Sequence, residues 1–188
     1  MRTSETHPLL VDFIQIESDQ IRGRIGLSFA PGKCHPSPGG DWERDLEMDL
    51  ARLREHWKTD LLVSLLEEHE FERLRIQKLL ERVSDYAIDV LWFPIRDQSV
   101  PTSLTEFHKV ITKINDAVLS GQTVIVHCMG GLGRSGLVAA SCLVALLKMA
   151  PQEAIAKTRK ARAAAIQTPE QEEYIFAYYD FISRQNSG

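Results

Sequence analysis

Cys128 and Arg134 bracket five residues, Met129-Gly130-Gly131-Leu132-Gly133, three of them glycine. An apolar run, Val124–Val126, leads through His127 into the cysteine and reads as a short buried strand. Arg134-Ser135-Gly136 then opens an apolar, alanine-rich helix. Each part has a chemical use. Glycines let a backbone curl so that successive N–H groups point inward and form a nest for an anion. The helix adds its positive end at the same place. Arg134 offers a planar fork for two phosphate oxygens. A free thiol titrates at about 8.5, and helix N-termini and cations lower that to roughly 3.5–7.5. Cys128 is therefore expected as a thiolate facing whatever the nest and Arg134 bind, which describes a nucleophile for phosphorus. Met129, Gly130, Gly131, Leu132, Gly133 and Arg134 are the expected phosphate-binding residues.

Two other phosphate loops compete for this stretch. Gly131-x-Gly133-x-x-Gly136 matches a dinucleotide fingerprint, but that reading needs another strand soon after the helix. The chain instead runs through 135–149 into a further helical stretch at 151–165. A nucleotide-triphosphate loop needs Gly-Lys-Ser/Thr, and the stretch holds no lysine. Attack by sulfur on a phosphate ester also needs an acid for the departing oxygen. Asp97, 31 residues before Cys128 and set between Pro94 and Pro101, is the candidate.

The elements that must position these groups follow from periodicity and punctuation. Strands are expected at 11–16, 24–29, 61–66, 87–93 and in the run before Cys128. Residues 30–40, rich in Pro and Gly, read as a loop in which Lys33 is a solvated surface lysine. Asp41 reads as the N-cap of a helix reaching about Trp57. Glu67-Glu68-His69-Glu70 reads as a solvated helix start, with helical residues continuing to about Val83. Ser103-x-x-Glu106 is a capping box for a helix through Leu119, ended by Gly121. Pro151 suits a first helical turn, and Lys157, Arg159, Lys160 and Arg162 near that helix's end read as a solvated basic face. Thr168 and Gln171 form a capping box around Pro169, opening a last helix that ends near Ser183.

Hydrophobic content of 44%, charged content of 26% and a net charge of −4 describe an ordinary globular chain and argue against nucleic-acid binding. We expect one domain over residues 1–188, with 1–8 and 184–188 flexible. Three cysteines are too few for a disulfide scaffold. Cys142 lies on an apolar helix face, and Cys34 reads as a loop cysteine. No signal-peptide pattern opens the chain, and the longest apolar run, 137–147, is shorter than the roughly 20 residues of a membrane span. The expectation is a cytoplasmic protein with no membrane or nucleic-acid partner.

His127-Cys128-x5-Arg134-Ser135 resembles the signature of the cysteine-dependent protein phosphatases. Pro94-Ile95-x-Asp97-x-x-x-Pro101 resembles the general-acid loop of the compact dual-specificity enzymes, and Ala165–Gln171 resembles the family's glutamine loop. The likeness covers roughly residues 20–180. It departs at Trp92-Phe93, where a histidine is expected, and this bears on the pocket wall. The resemblance implies an α/β fold: a central, mainly parallel sheet flanked by helices on both sides. It implies a phosphocysteine intermediate, no metal or other cofactor, and a phosphorylated protein or peptide as substrate. Asp97 is then the acid, Ser135 stabilises sulfur as a leaving group, and His127 supports the loop. Gln167 is the water-positioning residue, with Gln171 as a second, supporting candidate. A phosphoinositide or small-molecule phosphatase and a non-catalytic phosphosite-binding module remain as alternatives, as does the choice between phosphotyrosine and phosphothreonine. No lysine stands between Cys128 and Arg134, which favours protein phosphoesters. No aromatic phosphotyrosine-recognition loop is found, which favours a shallow pocket.

Overall fold

The computed structural model describes residues 1–37 and 40–185. In chain order the elements are β1 (Asp12–Phe13), β2 (Arg24–Ser28), β3 (Cys34–His35), β4 (Trp42–Glu43), α1 (Leu46–Glu55) and β5 (Leu61–Ser64). Then come α2 (Glu68–Arg73), α3 (Leu79–Arg82), a 3-10 turn (Val83–Tyr86), β6 (Asp89–Trp92) and α4 (Leu104–Leu119). The chain finishes with β7 (Thr123–His127), α5 (Gly133–Leu147), α6 (Pro151–Ala161) and α7 (Pro169–Gln185).

Five strands form one sheet in the order β1-β2-β7-β5-β6, with only β1 antiparallel. β7 is central and buried along its whole length, which explains its unbroken Val124-Ile125-Val126 run. Side chains alternate across the sheet as a pleated strand requires. Val124, Val126 and Val63 join the core under α4, α5, α6 and α7, whereas Ile125 and Leu62 join the core under α1, α2 and α3. Helices thus cover both faces, as the α/β reading expects. α5 is the innermost helix, with every residue from Gly133 to Val144 buried. That burial accounts for its small and apolar composition. Gly136 permits a close approach, because a Cβ there would lie 2.8 Å from the Ile166 nitrogen.

The four parallel strands end level. Ser28 and Ser64 both pair with His127, and Ser64 also pairs with Trp92. Their carboxyl ends therefore deliver four loops to one edge: the segments after Ser28, Ser64, Trp92 and His127. This is the edge at which open α/β sheets bind ligands.

Several boundaries differ from expectation. The strand at 11–16 shrinks to Asp12–Phe13. The 30–40 loop contains β3, which pairs with β4 as a small hairpin, while Pro38 and Gly39 lie outside the described residues. That hairpin takes Trp42 out of the expected helix, so Asp45, not Asp41, caps α1 by accepting from the Met48 N–H at 2.8 Å. The helical stretch after Glu67 breaks at Arg75, whose φ is +58°, and again at Ala87, φ +53°. The first eight residues, expected to be flexible, make contacts with the rest of the fold. Arg2 bridges Trp42, and the Ser4 hydroxyl accepts from the Asp45 N–H at 3.0 Å. At the other end Arg184 and Gln185 continue α7, and 186–188 lie outside the described residues.

Candidate active site

The loop after β7 turns sharply back over the strand ends. Gly131 makes this turn possible. Its φ is +70°, and a Cβ there would lie 2.2 Å from the Ser28 carbonyl oxygen. The turn brings the Gly131 N–H to 3.3 Å from Cys128 Sγ, so an N–H already faces the sulfur. Cys128 is nearly buried. His127, wholly buried, donates from Nδ1 to the Cys128 carbonyl at 3.3 Å. Burial keeps His127 neutral, pushing its pKa down to about 4 despite the Cys128 carbonyl. Ser135 lies at the start of α5, and its buried hydroxyl has no protein partner among the described residues.

Arg134 is buried and held from one end. Its Nη1 donates to Glu70 at 2.6 Å and to the Ile95 carbonyl at 3.0 Å, while Nη2 donates to the other Glu70 oxygen at 2.9 Å. Nη2 also lies 2.9 Å from Asp97, whose side chain is 43% exposed. Nε, by contrast, has no protein partner among the described residues. Burial opposes the charge on Arg134, but Glu70, Cys128 and Asp97 outweigh it and hold the guanidinium protonated. Burial likewise pushes Glu70 up, yet the Arg134 hydrogen bonds and the Glu67 N–H bring it below its ordinary value. The pair is a buried two-pronged contact that fixes the fork's plane.

Asp97 sits on the loop between β6 and α4, beside Gln98, whose φ of +57° marks a tight turn. Gln167 rests its Oε1 on the Gly133 N–H at 3.1 Å, at the mouth of α5. Gln171 is fully buried, and both polar atoms of its amide have partners. Oε1 accepts from the Gln167 and Thr168 N–H groups at 2.9 and 3.3 Å, and Nε2 donates to the Ser99 carbonyl at 3.3 Å. It ties the glutamine loop to the acid loop. Trp92 lies 44% exposed beside Phe71, with its indole donating to the Leu66 carbonyl at 2.8 Å.

Three parts of this assembly contradict the sequence reading. Glu70 is not on a solvated helix start; its contact with Arg134 buries it. The Glu67–Glu70 capping box was a readable signal, since the Glu67 N–H donates to Glu70 at 2.8 Å. Lys33 is not a surface lysine. It is buried, and its Nζ donates to the Met129 carbonyl at 3.2 Å. The basic cluster after α6 is only partly a solvated face. Arg162 donates to the Gly130 carbonyl at 3.1 Å and pairs with Asp12 at 2.6 Å. Arg159 holds the Ala165 and Ile166 carbonyls at 3.0 and 2.9 Å, bracing the glutamine loop. Cys142 is core, as expected, and burial pushes its thiol pKa up. Cys34 Sγ lies 3.4 Å from the Arg44 carbonyl. No cluster of three or more potential metal ligands occurs among the described residues, nor does a helix long and apolar enough to cross a membrane.

A thiol and a guanidinium at the two ends of one anion-binding loop, at the carboxyl edge of a parallel sheet, define the class of cysteine-dependent phosphatases. Comparison with known proteins places the chain within it. The family model "Dual specificity phosphatase, catalytic domain" matches residues 58–181, and the chain belongs to that family. Cyclin-dependent kinase inhibitor 3 of Rattus norvegicus is 28% identical over 182 residues, covering 95% of this chain and 82% of that protein. The crystal structure of kinase associated phosphatase with its catalytic-site cysteine replaced by serine superposes with a TM-score of 0.84 at 24% identity, covering 95% and 98% of the two chains. The structure of Tk-PTP in its active form gives 0.69 at 26% identity, covering 90% and 96%. The protein is thus a hydrolase of the dual-specificity protein phosphatase family.

Proposed function

We propose that the protein hydrolyses phosphotyrosine and phosphothreonine or phosphoserine esters in proteins through a phosphocysteine intermediate. The observation that carries this reading is the division of donors on Arg134. Glu70 and the carbonyls of Ile95 and Leu65 occupy Nη1, leaving Nε and the Asp97 side of Nη2 for a phosphate. The phosphoryl group binds there and to the inward N–H groups of Met129 to Arg134. Its oxygens compete with Asp97 for Nη2, and this frees the carboxyl group to meet the leaving oxygen. The Cys128 thiolate forms the S–P bond as the P–O bond breaks, and Asp97 gives its proton to the departing alkoxide or phenoxide.

In the second step water attacks the phosphocysteine and Asp97 takes up its proton. The S–P bond breaks and the thiolate returns. Gln167 orients that water once its amide leaves the Gly133 N–H. Ser135, with an unpartnered buried hydroxyl behind the loop, donates to sulfur as it leaves. Arg134 and the N–H groups supply the electrostatic stabilisation.

Phosphate release from matched phosphotyrosine, phosphothreonine and phosphoserine peptides, in reductant and chelator, tests this, with Cys128→Ser as blank. Release from phosphotyrosine together with phosphothreonine or phosphoserine, and none from the blank, is the expected result. Turnover by Cys128→Ser would remove the nucleophile assignment. Asp97→Asn should lower kcat about 100-fold for poor leaving groups and far less for p-nitrophenyl phosphate. Equal losses for both would remove Asp97 as the acid.

A further inference from the structure

Two cations lie on the outer side of the signature loop, and the sequence reading gave neither a part in the chemistry. Lys33 reaches the Met129 carbonyl at 3.2 Å, and Arg162 reaches the next one, that of Gly130, at 3.1 Å. They come from opposite ends of the chain: Lys33 from the segment between β2 and β3, Arg162 from just beyond α6. In a trans peptide the C=O and the following N–H point in opposite directions. A cation that holds the Met129 oxygen outward therefore turns the Gly130 N–H inward. A cation on the Gly130 oxygen does the same for the Gly131 N–H, and that N–H does face Cys128 Sγ at 3.3 Å.

Both cations are themselves fixed. Lys33 is 5% exposed and lies against the rings of Phe29 and Trp42, at 4.7 and 4.5 Å from their centroids. Arg162 is anchored by Asp12 of β1.

We propose that Lys33 and Arg162 are positioning residues that hold the Met129 and Gly130 carbonyls outward and so aim the Gly130 and Gly131 N–H groups at the bound phosphoryl oxygens. The inference rests on the phosphate-cradle reading above. The two residues differ in one respect. Burial pushes Lys33 down to about 8, the charges of Arg44, Arg162 and Arg2 act in the same direction, and Cys128 opposes them. An arginine stays charged throughout this range. The Lys33 hold is thus lost in mild alkali, and the Arg162 hold persists.

The test is sulfate binding to the Cys128→Ser protein by titration calorimetry. Sulfate keeps its charge across the range, and the serine removes the thiol's own titration. Relative to this parent, Lys33→Met should bind sulfate about ten-fold more weakly near pH 6.5 and show little further change up to about pH 9.5. The parent should weaken across that interval, and Lys33→Arg should stay tight. Arg162→Met should weaken binding by a similar factor while keeping the parent's alkaline loss. Two results would overturn the proposal: parental affinity in Lys33→Met, or an alkaline loss in Lys33→Arg that matches the parent. If Lys33→Met does not fold, the parent and Lys33→Arg decide alone. Failure of the phosphatase reading would show separately, as absent phosphate release by the Cys128 protein with the sulfate profile intact.

Discussion

Arg134 and Arg44 are both buried, and each grips one carboxylate with two N–H donors, yet they are built for opposite ends. Arg44 meets Asp49 through Nε and Nη2, both at 2.7 Å, and gives Nη1 to the His7 carbonyl at 2.6 Å. The rings of Phe29 and Trp42 lie at 4.9 and 5.7 Å from its guanidinium carbon. It is a knot that ties the N-terminal segment to α1, and each of its three nitrogens has a protein acceptor. Arg134 meets Glu70 end-on through Nη1 and Nη2, so that Nε is left over and Nη2 is shared only with an exposed carboxylate. Burial and pairing are alike in the two. The edge of the fork that faces the carboxylate separates an arginine with a partner on every nitrogen from one whose Nε is left over.

The comparison can be broken most forcefully at Arg134. Arg134→Lys keeps the charge but loses the fork, and kcat/KM should fall about 1000-fold in steady-state assays. Arg44→Lys should leave kcat/KM of the folded protein within a few-fold. Asp49→Ala strands Arg44 as an uncompensated buried charge. It should cost about 4 kcal/mol in urea unfolding, with turnover of the folded fraction kept.

His127 sharpens the contrast, since the burial that ion pairing outweighs at Arg134 keeps this ring neutral. Its folded pKa, about 4, lies below the ordinary 6.5, so the unfolded chain takes up the proton first as pH falls. Stability from this group is complete above about 6.5 and is lost progressively down to about 4. Between about pH 7 and 4.5 the parent should lose roughly 2 kcal/mol more than His127→Gln, read by urea melts of both proteins at each pH. Glu70→Gln, which keeps one acceptor and most of the packing, should act more gently than Arg134→Lys. A loss of about 20-fold in kcat/KM, with modest destabilisation, would place the pair's value in aiming Arg134.

The difference between these arginines was not readable in the chain. Arg44 and Asp49 are five residues apart and Arg134 and Glu70 sixty-four, and neither spacing tells which N–H groups are spent. What could be read was contiguous: the strand, the turn and the helix around Cys128, and Asp97 between its prolines. These follow from local rules about apolar runs, glycine and caps. Glu70 lies in an acidic run, Lys33 in a Pro- and Gly-rich loop and Arg162 at the end of a basic cluster; all three contexts suggest solvent, and only tertiary contact buries or engages them. The break at Arg75 escaped for a different reason: a left-handed arginine carries no glycine or proline to announce it. The cap at Asp45 displaced Asp41 because the β3–β4 hairpin, pinned to Arg2, takes up the intervening residues.

The braces on the signature loop also order events in time. Arg162 and Asp12 are 150 residues apart, and Lys33 and Met129 are 96 residues apart. Contacts of such long sequence separation form late, after local helices and turns. On the ribosome, a nascent chain that has already exposed Cys128 and Arg134 still lacks Arg162 and the glutamine loop. Synthesis runs at about 5–20 residues per second, so for some seconds the growing chain carries the thiol without its Arg162 brace. Phosphatase competence therefore waits for the segment that carries Arg162 and the glutamine loop.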